Sequence, residues 1–144
     1  MFDELRDLYQ EVILDHGKSP RNFRTLENAT CLAHGNNPIC GDMLVVYLTL
    51  DDDRRLADVA FQGQGCAIYV ASASMMTESI KGKTLEEAQR VFDAFHGMIT
   101  GEAEGESDSE ELGDLEMLAG VSEYPTRIKC AVLSWHTLRA AMRG

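Results

Sequence analysis

The stretch from Met43 to Gln62 reads MLVVYLTLDDDRRLADVAFQ, and it decides the fold. Every second residue from Leu44 to Leu50 is leucine or valine, which is the period of a strand with one buried face. The charged run Asp51–Arg55 predicts a turn. The segment after the turn alternates again, with three apolar residues on one side: Ala57, Val59 and Phe61. Two such segments around a short turn predict an antiparallel hairpin.

Helical patterns lie on both sides of this hairpin. Before it, apolar residues recur at helical spacing from Phe2 to Ile13. After it, the segment Ala67–Ile80 is small or apolar nearly all round, as a buried helix is. Thr84 followed by Glu87 is a capping-box pattern and predicts the start of another helix. Pro125 favours a first helical turn, so we expect the last helix to begin there.

The remaining segments carry weaker patterns. Residues up to about Asn37 are polar and irregular, with one short strand-like piece at Ala29–Ala33. Leu112–Ala119 predicts a short helix. Strands followed by helices indicate an α+β fold, in which a small antiparallel sheet of about three strands has helices packed on one face. A chain of 144 residues is the length of one domain, so we expect a single domain over 1–144.

Negative charge dominates the composition. The chain has 24 acidic and 13 basic residues, a net charge of −11. Nucleic acids attract clustered Lys and Arg, which the sequence lacks, so we expect no nucleic-acid partner. The longest apolar stretch, Met43–Leu48, is far shorter than the ~20 residues of a membrane helix, and the acidic start is unlike a secretory signal. The sequence therefore predicts a soluble cytoplasmic protein without a membrane partner.

The acidic residues are concentrated in one segment. Nine of them, and no Lys or Arg, lie between Gly101 and Glu123. The part from about 100 to 116 has no apolar period, which predicts an acidic insertion on the surface rather than a buried element.

Three cysteines and one aspartate stand where metal binding is favoured. Cys66 follows a glycine break at a predicted helix start, and Cys130 lies in the first turns of the last helix, where the helix dipole lowers a thiol pKa. Cys40 lies in a turn-rich stretch two residues before Asp42, so in an extended chain both side chains point the same way. Three sulfurs and a carboxylate suit a tetrahedral zinc site or one edge of an iron–sulfur cluster. Ordinary core packing of these thiols stays open, and we expect it for Cys31.

The histidines give less information. His34, six residues before Cys40, is the one that lies near the predicted site, and a Cys–His hydrolase would use this pair. No nucleophile motif accompanies it. The other three are predicted to have structural roles on helices: His16, His96 and His136.

Four segments together resemble a known family, the U-type iron–sulfur cluster assembly proteins, which comprise IscU and its relative SufU. They lie in the family's order along nearly the whole chain: Tyr9–Phe23, Asn37–Asp42, Gly63–Ala67 with Ser72–Ser74, and Tyr124–Ala131. The resemblance implies a fold like that of SufE and NifU. It also implies that the metal ligands are Cys40, Asp42, Cys66 and Cys130.

Two departures from IscU make the chain similar to the SufU branch. Lys129 stands where IscU has a histidine beside its last cysteine, and the acidic segment is an addition. A lysine is protonated at neutral pH and is a poor ligand, so the site keeps three sulfurs and one oxygen. The resemblance then implies Zn²⁺, and a sulfur relay in which Cys40 is the catalytic acceptor, rather than a stand-alone enzyme.

The same resemblance implies the partners. Sulfur comes from a SufS-type cysteine desulfurase, to which the pyridoxal phosphate belongs, and Arg127 lies on the face that meets it. Downstream Suf cluster-assembly proteins are further partners. A scaffold that builds and transfers a [2Fe–2S] cluster is the alternative, and a structural zinc domain without turnover is a third interpretation.

Overall fold

A computed structural model gives the architecture. It describes Glu11, 13–27, 29–37, 42–65, 67–100, Leu115, Leu118 and 125–143, and at Asn37, Asp42, Ala67 and 125–127 the description covers the backbone. Residues 13–18 are the end of the predicted first helix and form α1. The earlier part of that helix, nearly all of the acidic insertion and most of the predicted helix at 112–119 lie outside the described residues.

The described residues form one antiparallel sheet and its covering helices. The strands are β1 (Cys31–Asn37), β2 (Asp42–Leu50) and β3 (Leu56–Gln64), in the order β1-β2-β3. The helices that follow are α2 (Ala67–Ile80), α3 (Leu85–Thr100) and α4 (Pro125–Arg143). The predicted α+β fold with three antiparallel strands is therefore confirmed. Among the helices that the structure describes, none combines the length and the hydropathy that crossing a bilayer requires.

The core lies between one face of the sheet and the helices. Leu44, Val46 and Leu48 of β2 are buried, as their alternation predicts. Helix α4 packs on β1 and β2, and α2 packs on β3 and α4. At the centre, the Trp135 ring of α4 stacks on Phe95 of α3 with centroids 4.5 Å apart. Burial of aromatic rings of this size contributes much of the stability of a small core.

Strand β1 is longer than the sequence predicts and begins later. It spans Cys31–Asn37 instead of Ala29–Ala33. His34 and Asn36 made this stretch look irregular, yet both side chains are exposed on the open face of the sheet. Gly35 between them faces Thr137 of α4. A strand covered on one side tolerates polar residues at every second position, so polarity there does not prevent pairing.

A β-bulge changes the alternation at the start of β3. Leu50 pairs with Leu56 and Thr49 pairs with Asp58, so the register passes over Ala57. An extra residue of this kind reverses which side chains face the core. Ala57 is consequently exposed while Leu56 is buried, and the prediction that Ala57 lies on the buried side is wrong.

Helix α1 and the segment after it are held to α2 by buried hydroxyls. His16 Nδ1 lies 2.7 Å from the Ser74 hydroxyl, which also accepts the Arg21 N–H at 2.8 Å. The Asn22 side-chain amide donates to Thr77 Oγ1 at 2.9 Å. His16 therefore has a structural role, as predicted, and exerts it through a hydrogen bond to a neighbouring helix.

The same segment then runs along the outer edge of β3. The Phe61 N–H donates to Asn22 O and the Arg24 N–H donates to Phe61 O, both at 3.0 Å. Asn22 adopts a left-handed backbone with φ of 57°, which asparagine accepts more readily than most residues. The rings of Phe23 and Phe61 meet edge to face with centroids 5.2 Å apart.

The predicted capping box starts α3. The Glu87 N–H donates to Thr84 Oγ1 at 3.1 Å, and the Thr84 N–H donates to Glu87 Oε1 at 3.0 Å. These hydrogen bonds hold the pKa of Glu87 below its usual range, and the bond from the Thr84 backbone contributes most. Both orphan donors at the helix start are satisfied in this way.

A cluster of rings on α3 and α4 predicts a pH dependence of stability. His136 packs edge to face against His96 and Phe92, and the Arg139 guanidinium lies over the Phe92 ring. Burial, then the charges of His96 and Arg139, lower the pKa of His136 from 6.5. Below that value the unfolded chain binds the proton more readily than the folded one, so stability decreases as pH falls.

We expect His136→Gln to make the melting temperature less dependent on pH between about 7.5 and 5.5, because the residue that gains the proton on unfolding is gone. Thermal unfolding of both proteins across that range measures the difference. An equal change of melting temperature with pH in the two proteins would contradict the prediction.

Candidate metal centre

The topology brings three of the predicted ligand-bearing segments to one end of the sheet. Cys40 belongs to the connection between β1 and β2, and Cys66 to the connection between β3 and α2. Asn37 pairs with Asp42, and Met43 pairs with Gln64. The end of β1, the start of β2 and the end of β3 therefore lie side by side.

One predicted ligand has a described side chain. Cys130 lies near the start of α4 and is fully buried, in agreement with its predicted place in the first turns of that helix. Cys40 and Cys66 lie outside the described residues, and for Asp42 the structure gives the backbone alone. Burial makes an ionised thiolate unfavourable unless a cation or hydrogen bonds compensate its charge.

A buried serine connects α2 to the start of α4. The Ser72 hydroxyl donates to the carbonyl oxygen of Ala131 at 2.6 Å, and Trp135 Nε1 donates to Ser72 Oγ at 3.1 Å. All three residues are fully buried. Ala131 directly follows Cys130, so these bonds fix the backbone beside the buried thiol against α2.

A tyrosine connects the first turn of α2 to the start of β2. The Tyr69 hydroxyl donates to the Met43 carbonyl at 3.1 Å. It reaches that carbonyl across Gly63 of β3, where a Cβ would overlap both the tyrosine oxygen and the carbonyl oxygen. Gly63 is thus required for the close approach, and Met43 is the residue after Asp42.

Sequence reasoning did not assign these connecting residues a role. The available signal was the presence of hydroxyls at Tyr69 and Ser72 in a helix predicted to be buried nearly all round. Buried hydroxyls require hydrogen-bond partners, so each had to contact another element. Which element it contacts depends on pairing between distant segments, which periodicity does not reveal.

A shallow depression of about 550 Å³ lies on the open face of the sheet, at the end from which the ligand-bearing segments leave. His34, Asn36, Gln62 and Gln64 contribute polar groups to it, and the exposed Met43 contributes an apolar side chain. His34 therefore faces this depression. The predicted pairing of His34 with Cys40 lies outside the described residues.

The donor set fits zinc in its chemistry. Three thiols and one carboxylate are ligands that tetrahedral zinc sites use. Within the described part of the chain, no group of three or more His, Cys, Asp or Glu side chains is arranged to hold a metal ion. Since that part includes one side chain of the predicted set, Cys130, the four-ligand site stays a prediction.

Comparison with known proteins identifies the family. The sequence profile of the NifU-like N-terminal domain matches residues 8–131, most of the chain. This chain belongs to the NifU-like N-terminal domain family. SufU of Bacillus subtilis (strain 168), named a zinc-dependent sulfurtransferase, is 48% identical over 134 residues, which is 93% of this chain and 88% of that protein.

Other NifU-like relatives are named as scaffolds. IscU of Streptococcus pyogenes serotype M1, an iron–sulfur cluster assembly scaffold protein, is 40% identical over 140 residues, 97% of this chain and 86% of its own length. A crystal structure from Fervidobacterium islandicum AW-1, described as an assembly scaffold for the SUF system, has a TM-score of 0.85 at 37% identity and covers 92% of this chain and 94% of that one. The family resemblance and the fold expected from it are both confirmed.

Proposed function

We propose that this NifU-like protein acts in iron–sulfur cluster biogenesis as a zinc-dependent sulfur acceptor. It takes persulfide sulfur from a SufS-type cysteine desulfurase and activates that enzyme. The observation that carries the proposal is the 48% identity, over 93% of the chain, to a protein named as a zinc-dependent sulfurtransferase. Lys129 adds support because its side chain is exposed whereas the neighbouring Cys130 is buried, so the ligand set keeps three sulfurs and one oxygen.

Zinc would be held by Cys40, Asp42, Cys66 and Cys130. When bound, it keeps the cysteines as thiolates near neutral pH. Cys130 is buried and lies in a helix fixed by Ser72, so its thiol is poorly placed to meet a partner's active site. Cys40 falls between the last residue of β1 and the first residue of β2, so it belongs to neither strand. Cys40 is therefore the acceptor.

The transfer is a thiolate exchange that needs no added oxidant. The Cys40 thiolate attacks the terminal sulfur of the desulfurase persulfide and forms a new S–S bond. The bond between that sulfur and the desulfurase cysteine breaks, and the desulfurase thiolate leaves with the electron pair. The persulfide is thereby moved to Cys40 with no net change in oxidation state.

The partner is recognised beside the site. Arg127 lies in the first turns of α4, three residues before Cys130. Its guanidinium pairs with a carboxylate of the desulfurase and orients the two proteins. The pyridoxal phosphate stays on the desulfurase, and downstream Suf cluster-assembly proteins receive the sulfur in the cytoplasm.

A cluster scaffold is the second candidate. It is favoured by the 40% identity to a relative named as an iron–sulfur cluster assembly scaffold protein. In that case the same residues would bind a [2Fe–2S] cluster instead of zinc.

One experiment separates these functions. The protein is isolated anaerobically, its metals are measured, and it is incubated with a cysteine desulfurase and cysteine before peptide mass spectrometry. We expect about one zinc per chain and a persulfide on Cys40. Cys40→Ala should lose the persulfide, whereas Cys31→Ala, a half-buried thiol on β1, is the matched control and should retain it.

Two results would overturn the proposal. A zinc-free protein with a stable iron–sulfur chromophore would favour the scaffold. A persulfide found mainly on Cys66, Cys130 or Cys31 would remove Cys40 from the acceptor role.

A further inference from the structure

Helix α2 is connected to the residues beside three of the four predicted ligands, which are Cys66, Asp42 and Cys130. Cys66 directly precedes its first residue, Ala67. In its first turn Tyr69 hydrogen-bonds to β2, beside Asp42, and one turn later Ser72 hydrogen-bonds to α4, beside Cys130. The two hydroxyls thus hold β2 and α4 at fixed positions along α2.

The Ser72 hydroxyl has little freedom to move. Its single proton goes to the Ala131 carbonyl, and it accepts the indole N–H of Trp135. Because the group is fully buried, loss of either bond leaves a polar atom without water to replace it. A sliding movement of α4 along α2 would break both bonds, so Ser72 fixes the register of the two helices.

The Tyr69 hydroxyl fixes the other junction. Its bond to the Met43 carbonyl passes over Gly63, where no side chain fits. Removing the hydroxyl would remove this hydrogen bond between the start of β2 and the first turn of α2 while leaving the packed ring in place. The expected consequence is a displacement at Asp42 and little loss of apolar burial.

We propose that the hydroxyls of Tyr69 and Ser72 are positioning groups that set Asp42 and Cys130 relative to Cys66. This inference rests on the proposed zinc site. Groups that orient metal ligands without touching the metal affect affinity strongly, since a misplaced ligand loses bond energy that the metal cannot regain. The two hydroxyls act on the ligand set through the backbone of the adjoining residues.

Ser74 provides a matched control on the same helix. It is a fully buried serine two residues from Ser72, and its hydroxyl also has two partners. Those partners are His16, which lies in α1, and the Arg21 N–H, which lies in the segment after α1. Ser74→Ala removes a comparable number of hydrogen bonds from the same helix. The bonds it removes join α2 to neither β2 nor α4.

The test compares Tyr69→Phe, Ser72→Ala and Ser74→Ala in the full chain. Each protein is titrated with Zn²⁺ against a chelator and with Co²⁺, whose absorption spectrum reports ligand geometry, and the metal-free melting temperature is recorded. We expect Tyr69→Phe and Ser72→Ala to bind zinc at least about tenfold more weakly and to change the Co²⁺ spectrum. Ser74→Ala should lower the metal-free melting temperature but keep the wild-type affinity and spectrum.

The outcomes separate this inference from the proposed function. Wild-type protein that binds neither metal would overturn both. If the wild type binds metal, two results would overturn the positioning role alone. One is an unchanged affinity and spectrum in Tyr69→Phe and Ser72→Ala, and the other is the same change in Ser74→Ala as in those two variants. If Ser72→Ala does not fold, Tyr69→Phe decides the question, because it removes one oxygen atom and no apolar volume.

Discussion

Gly35→Ala is expected to destabilise the protein by about 2–3 kcal/mol, since overpacking a tight contact forces neighbouring elements apart. The new Cβ would overlap Thr137 Oγ1 of α4 and lie 3.0 Å from Leu44 Cδ2 of β2. Helix α4 would then move away from β1 and carry Cys130 with it. Denaturant unfolding measures the loss of stability, and chelator competition measures the accompanying loss of zinc affinity.

A double mutant tests the cause. Thr137→Ala removes the oxygen that meets the new Cβ. Its own cost should be small because, among the described residues, that hydroxyl donates to a carbonyl of its own helix, Leu133 O, at 2.9 Å. Gly35→Ala combined with Thr137→Ala should regain part of the lost stability, since the remaining contact with the residue 137 Cβ is 3.2 Å. Additive destabilisation by the two changes would refute the steric explanation.

Arg127→Ala is expected to abolish most stimulation of the desulfurase and to leave zinc content and melting temperature unchanged. In the proposed pairing the guanidinium meets a carboxylate of the desulfurase, so its removal would leave that carboxylate unpaired in the complex. The effect should be at least about tenfold on the stimulated rate at limiting protein. Cysteine-dependent sulfide release with a cognate desulfurase measures it.

Lys129→Ala is the matched control for this variant. Lys129 is an exposed cation two residues further along α4 and lies outside the proposed pairing. It should stimulate like the wild type. Full stimulation by Arg127→Ala would exclude Arg127 from partner recognition, and loss of zinc from that variant would show that its role is structural.

Most of the fold could be predicted because its strong signals are local. The alternation of β2 and the small-residue composition of α2 each specify one element, and the Thr84 capping box marks the start of α3. The errors arose where the deciding interaction is not local. Pairing with β2 extends β1 through His34 and Asn36, and the bulge at Ala57 follows from the register between two strands.

In the candidate site, too, local features could be predicted from the sequence and contacts between distant segments could not. Cys130 near a helix start could be predicted from chain position, and the structure places it there. The contacts of Tyr69 and Ser72 could not, because each joins residues more than twenty positions apart in the chain. Gly63 belongs to the glycine break that precedes Cys66 in the sequence, whereas in the fold it lies within β3. The absence of a side chain there leaves room for the Tyr69 hydroxyl to reach β2.

The segment that runs along β3 has a consequence for solubility. An uncovered edge strand offers its N–H and C=O groups to strands of other molecules, which is a common route to aggregation. Here the outward N–H and C=O of Phe61 are already bonded to Asn22 and Arg24. Because the same segment is held by Ser74 and Thr77, weakening those part-buried bonds would loosen the segment that covers the edge. Two hydroxyls inside the protein thus help to keep the β3 edge covered at Phe61.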